Sequence, residues 1–366
     1  MLEIINKMRG VPMKEHRSEL EVYSGIAILF VVFLHSNAYY LTNILKLGSY
    51  VSAGMFLNFI DKIVHVAVPM FIFIAGYKYQ MNNKNDTYRE FFIKKFNGVF
   101  KPFFFISTFY LFYFWCNVFY LRLIYNGKAE VQFVILNLIK NFFRMFLGYN
   151  FAYQFWYIPM YLLIVLSYPI VARYIKNINS RFVFYFTLAI TWEIIACLKI
   201  PYINNNPYPI KFIYYFFLYE LGCIFYSKNS KNINPKPVML LYILLLIATS
   251  LMKNALYTRL LYELIFVPIS VMAFFYISLK IKDNKLLIYL GKNSLYIYML
   301  HEPLVLSVIS RYLLRHGLYR FGVLAPMIAI LSIILSIVIY NCLIRIPALK
   351  FLFTKDRKSQ VMKISG

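Results

Sequence analysis

Residues 19–35 read ELEVYSGIAILFVVFLH, and the fold turns on how this stretch is read. Glu19 and Glu21 open it. From Val22 to Leu41 the residues are mostly apolar, with one ionisable group of note, His35. As a helix, 22–41 rises about 30 Å, which matches the hydrocarbon core of a bilayer. The run is too long for the apolar core of a signal peptide and has no small-residue cleavage site, so it reads as the first membrane helix. An imidazole carried into lipid is costly, which makes His35 a functional candidate.

The same pattern repeats outward from this stretch. Apolar blocks at 22–41, 63–80, 99–121, 154–172, 182–198, 211–227, 237–252, 260–279, 287–311 and 320–344 predict an all-α integral membrane protein, a polytopic bundle of about ten transmembrane helices. Segment 131–148 carries Lys140 and Arg144 one turn apart among Phe and Leu, a pattern suited to a helix lying in the interface. With ten crossings, the segments on one side hold about twice as many Lys and Arg as those on the other, which places both termini in the cytoplasm. The expected organisation is one membrane domain over 1–345 and a short basic cytoplasmic tail over 346–366.

Composition agrees. Apolar residues make up 61% and charged residues only 14%, where a soluble domain carries about a quarter charged. This excludes an ordinary soluble globule, a disordered chain and a nucleic-acid-binding module. The net charge of +25 belongs to membrane topology and needs no polyanionic partner. Cys116, Cys197, Cys223 and Cys342 lie in or beside apolar blocks without CxxC or metal-ligand spacing, so they read as buried apolar side chains, and no metal is expected.

Several ionisable residues fall at comparable depth on different helices. His35 lies about 20 Å along the first helix, Glu193 about 17 Å along another, and His301 and Glu302 about 21 Å along the ninth. His65, beside Asp61, and Glu263 start helices at the outer face, and Glu220 lies nearer mid-depth. Taken singly, each is as readily structural as chemical. Together they predict a polar cavity opening outward.

Four segments resemble the membrane acyltransferase-3 family. They are residues 19–35, VAVPMFIFIAGYKYQ (66–80) with the following FFIKKFNGVFKPFFF (91–105), FWYIPMYLLIVLSYP (155–169) and GKNSLYIYMLHEPLVL (291–306). Their order and spacing match the family and span nearly the whole chain. The resemblance implies transfer of an acyl group, often acetyl, from cytoplasmic acyl-CoA to a hydroxyl of an outward-facing glycan or lipid-linked saccharide. It places the family's signature histidine at His35. Three positions depart from the family pattern. Ser24 stands where an arginine is usual, Ala75-Gly76 replaces a Ser-Gly pair, and Gly98 replaces a second basic residue, with Lys95 in the first position.

On this reading His35 removes the proton of the acceptor hydroxyl, as suits an imidazole titrating near operating pH, or it forms an acyl-histidine intermediate. Glu302 or Glu193 would orient it, and His301 would polarise the carbonyl or hold the acceptor. Arg17, Lys94, Lys95 and Lys101 would meet the phosphates of acyl-CoA, although topology and anionic lipid explain these lysines equally well. Glu21, too far down the helix to touch His35, would bond a basic residue near the cytoplasmic mouth. The remaining expected partners are membrane lipids and a polysaccharide synthase, and the expected location is the cell membrane. The competing reading is a transporter or flippase of a polysaccharide precursor, in which the polar slab binds and does not react.

Overall fold

A computed structural model describes residues 18–44, 59–82, 86–126, 139–140, 153–197, 208–229, 232–252, 255–316, 324–347 and 349. Arg17, most of segment 131–148 and most of the basic tail lie outside the described residues. Within them every regular element is helical, and there are no strands. Helices suit a lipid solvent, because each satisfies its backbone N–H and C=O groups inside its own segment.

In chain order the helices are α1 (Ser18–Ile44), α2 (Ala67–Asn82), α3 (Tyr88–Lys95), α4 (Lys101–Asn126), α5 (Tyr157–Tyr174), α6 (Ile178–Cys197), α7 (Tyr208–Ser227), α8 (Lys236–Leu251), α9 (Ala255–Leu261), α10 (Val267–Lys280), α11 (Lys285–Lys292), α12 (Ser294–Leu300), α13 (Leu306–Arg315) and α14 (Leu324–Leu343). Each of the ten apolar blocks contains helix. Among the described residues, five helices are long and apolar enough to cross a membrane: Ser18–Ala38, Phe59–Asn82, Gln154–Tyr174, Thr258–Lys280 and Ala325–Leu343.

Two pairs of glycines set the helix spacing. Gly76 on α2 faces the backbone carbonyl of Tyr219 on α7, and Gly222 on α7 faces that of Phe73 on α2; a Cβ at either position would overlap the opposing backbone. Gly25 on α1 and Gly291 on α11 make the same reciprocal approach, through the carbonyls of Leu287 and Glu21. Small residues let membrane helices close to backbone contact, where dispersion replaces the missing hydrophobic drive. Between these pairs lies a core rich in rings, including Tyr23, Phe73 and Phe275.

The block 287–311, expected as one helix, is broken. Wide π turns interrupt the α-helical chain at Phe96–Phe100, Tyr262–Phe266 and His301–Val305. In the last, Glu302 takes extended backbone angles, φ −139° and ψ 138°, ahead of Pro303. Proline lacks the N–H that would continue the ladder and disfavours a helical residue before it. The side-chain amide of Gln154 donates to the Glu302 carbonyl and re-satisfies it.

Candidate functional site

The helix break and α1 meet at two imidazoles. His35 on α1 and His301 at the end of α12 lie with ring centroids 5.2 Å apart and planes inclined at 55°. One residue past His35, the Ser36 hydroxyl donates to the Ala325 carbonyl at 2.5 Å, which pins this part of α1 to α14. The reach of the two rings differs. His301 is 0% exposed, whereas His35 is half-buried.

The hydrogen bonds of His301 fix its tautomer. Its Nδ1 faces the carbonyls of Ile297 at 3.1 Å and Tyr298 at 2.8 Å. A carbonyl can only accept, so in the neutral ring the proton sits on Nδ1 and the lone pair on Nε2. That Nε2 is buried and has no hydrogen-bond partner among the described residues. An unpaired buried acceptor is costly and calls for a reason.

Gln154 holds this corner together from the short turn Tyr153–Trp156 ahead of α5. Its side chain donates to the Glu302 carbonyl, and its own carbonyl accepts the Tyr298 hydroxyl. Sequence reasoning passed over Gln154. The available signal was an amide side chain at the edge of an apolar block, immediately before FWYIP.

Each of the two carboxylates expected to orient His35 has a partner of its own among the described residues. The Glu302 carboxylate accepts from the Ser307 hydroxyl. Glu193 on α6, 2% exposed, receives the Arg259 guanidinium at 3.0 Å. The structure brings His301 to the His35 ring. Glu220 on α7 is likewise taken, by the Tyr168 hydroxyl at 2.5 Å and Arg181 at 3.3 Å. Asp61 pairs with His65 at 2.9 Å, and Asn37, two residues beyond His35, donates to Asp61 at 3.4 Å. Glu263 lends its backbone carbonyl to the Tyr214 hydroxyl at 2.6 Å. Glu21 meets Lys78 at 3.9 Å.

Of the cations expected to meet a donor, Lys94 pairs with Asp86, and Lys101 opens α4. Lys95 turns inward. Its Nζ donates to the Tyr161 hydroxyl at 3.2 Å and lies 5.3 Å over the Phe91 ring. From Tyr161 a column of rings leads to the histidines. Centroids are 5.7 Å apart from Tyr161 to Tyr157, 5.5 Å from Tyr157 to Tyr298 and 5.9 Å from Tyr298 to His301.

The departures from the family pattern also have structural settings. The Ser24 hydroxyl donates to the Leu20 carbonyl at 2.9 Å inside α1. Ala75 is buried on α2, and a Cβ at Gly98 would meet nothing within 4 Å. Among the described residues no group of His, Cys, Asp and Glu is placed to hold a metal ion.

Apolar helices of membrane length, with a pair of imidazoles in contact between α1 and the end of α12, mark a multi-pass membrane protein. A family model described as an acyltransferase domain matches residues 18–341, nearly the whole chain, and the chain belongs to this acyltransferase-3 family. No curated protein and no solved structure matches it.

Proposed function

We propose that the protein is a membrane O-acyltransferase that moves an acyl group, acetyl in the simplest case, from cytoplasmic acyl-CoA to a hydroxyl of an outward-facing glycan or lipid-linked saccharide. In this reading the chain crosses the cell membrane ten times, with both ends in the cytoplasm. His35 is the catalytic residue: it takes the hydroxyl proton as the oxygen attacks the thioester carbonyl. The new C–O bond forms, the C–S bond breaks, and the proton passes to the departing thiolate.

The observation that carries this reading is the His35–His301 pair at 5.2 Å, one ring half-buried and the other fully buried. The His301 ring packs against His35, and its Nε2 is without a hydrogen-bond partner among the described residues. His301 is then the positioning residue, in place of Glu302 or Glu193. Lys95, at the far end of the ring column from the histidines, would attract the phosphates of the donor on the cytoplasmic side.

One feature favours transport instead. The helix break at Glu302 resembles the discontinuous helices on which transporters build substrate sites. Substituting His35→Gln in cells and measuring both the acyl content and the amount of the surface glycan separates the two readings. Catalysis predicts a full-length glycan without its acyl groups. Loss of the glycan itself, with acyl content per residue unchanged, would favour transport.

A further inference from the structure

Two concavities outside the histidine site take their walls from the same two segments, the α3–α4 stretch and α5. The first is a polar cleft of about 260 Å³ at one end of the bundle, lined by Tyr88 and Phe91 from α3, Arg173 from the end of α5, and Lys176 and Arg181 beyond it. The second is an apolar groove of about 360 Å³, lined by Phe92, Phe96, Phe100 and Phe103 on one wall and Pro159, Leu163 and Leu166 on the other.

The walls are continuous. Tyr88, Phe92, Phe96, Phe100 and Phe103 recur every three or four residues, so they form one helical stripe. Pro159, Leu163, Leu166, Pro169 and Arg173 form the facing stripe on α5, with Pro169 and Arg173 in the cleft. Along the Phe wall the rings are stacked, with centroids 6.1 Å apart from Phe92 to Phe96 and 5.1 Å from Phe96 to Phe100. From Phe92 to Phe103 the groove runs about 16 Å, roughly half of a 30 Å hydrocarbon core and thus one leaflet.

The cleft carries positive charge that the fold leaves unspent. Arg181 is satisfied by Glu220 and by the carbonyls of Ile175 and Lys176, and so shapes the cleft floor. Asp86 is matched by Lys94. Arg173 and Lys176 are exposed and form no ion pair among the described residues. A cationic mouth at the membrane edge, opening into a leaflet-long apolar furrow, complements an amphiphile with an anionic head.

We propose that this seam binds an anionic phospholipid of the adjoining leaflet, with its phosphate headgroup at Arg173 and Lys176 and one acyl chain along the Phe92–Phe103 wall. The proposal rests on the chain spanning a membrane and is independent of the acyl-transfer reading.

The test uses the full-length protein carrying Leu163→Trp as a groove reporter, in phosphatidylcholine vesicles doped with brominated lipid, with the fluorescence of the protein lacking that substitution subtracted. Brominated phosphatidylglycerol is expected to quench the reporter at about a tenth of the concentration that brominated phosphatidylcholine requires, because two surface cations favour the anionic head. R173Q/K176Q, at two exposed positions, is expected to erase that preference and leave helix content unchanged. Equal quenching by the two lipids, or a preference that survives R173Q/K176Q, would overturn the proposal. Loss of the preference on adding free coenzyme A would also overturn it, by assigning the cleft to a soluble phosphate compound.

Discussion

His35 and His301 reach each other from helices at opposite ends of the chain, His35 half-buried and His301 fully buried. On the proposed mechanism that asymmetry separates their roles. Replacing His35 would then remove the general base, an expected loss of about 10²- to 10⁴-fold in turnover. Replacing His301 by Gln is expected to cost less, and H35Q/H301Q to be no worse than H35Q alone, because His301 acts through its neighbour. Initial rates of the three variants, with the pH profile of H301Q, check this. Independent, multiplying losses would contradict a coupled pair.

Gln154 makes a second positioning claim. Q154A leaves the Glu302 carbonyl without its amide donor at the helix break and loosens the turn that aims His301. Turnover is expected to fall about 10- to 100-fold with little change in KM for the donor. Gln154→Glu, which keeps the shape but removes the donor, should resemble Q154A. An unchanged kcat in either variant would remove Gln154 from the site.

The Glu193–Arg259 pair is expected to be structural. R259Q leaves a carboxylate that is 3% exposed without its partner, at a cost of about 3 kcal/mol in stability. Adding E193Q should recover most of that loss. Thermal unfolding in detergent measures both, and activity per folded molecule should be near wild type in the double variant. A large kcat loss in E193Q at wild-type stability would return Glu193 to the catalytic set.

Gly98 offers a gain-of-function experiment. The space beside it is open, so Gly98→Arg restores a basic residue at the family's usual position without a clash. The expected result is tighter binding of acyl-CoA, read as a lower KM, with kcat unchanged. By contrast, Gly76→Val, where a Cβ meets the Tyr219 backbone, is expected to destabilise the bundle by about 3 kcal/mol, read as a lower unfolding midpoint.

What the sequence disclosed and what it withheld divide along physical lines. His35 stood out because an ionisable group inside an apolar run is expensive, and the helical character of each block followed from the same cost. His301 was visible beside Glu302 and Pro303, but the break there was not, since apolar content alone reads through a proline. The imidazole contact and the capture of Glu193 by Arg259 are tertiary facts. They depend on how α1 seats against its neighbours, which the Gly25–Gly291 approach helps to set, and on residues whose separation in sequence carries no distance. Glu21 did meet a base, Lys78, as its position near the end of α1 suggested.

The most direct measurement of the central claim is transfer of labelled acetyl from acetyl-CoA into the glycan of isolated membranes containing either the wild-type protein or H35Q at matched, folded abundance. The account predicts incorporation with the wild type and a fall of at least about 100-fold with H35Q. Equal incorporation by the two proteins would contradict it.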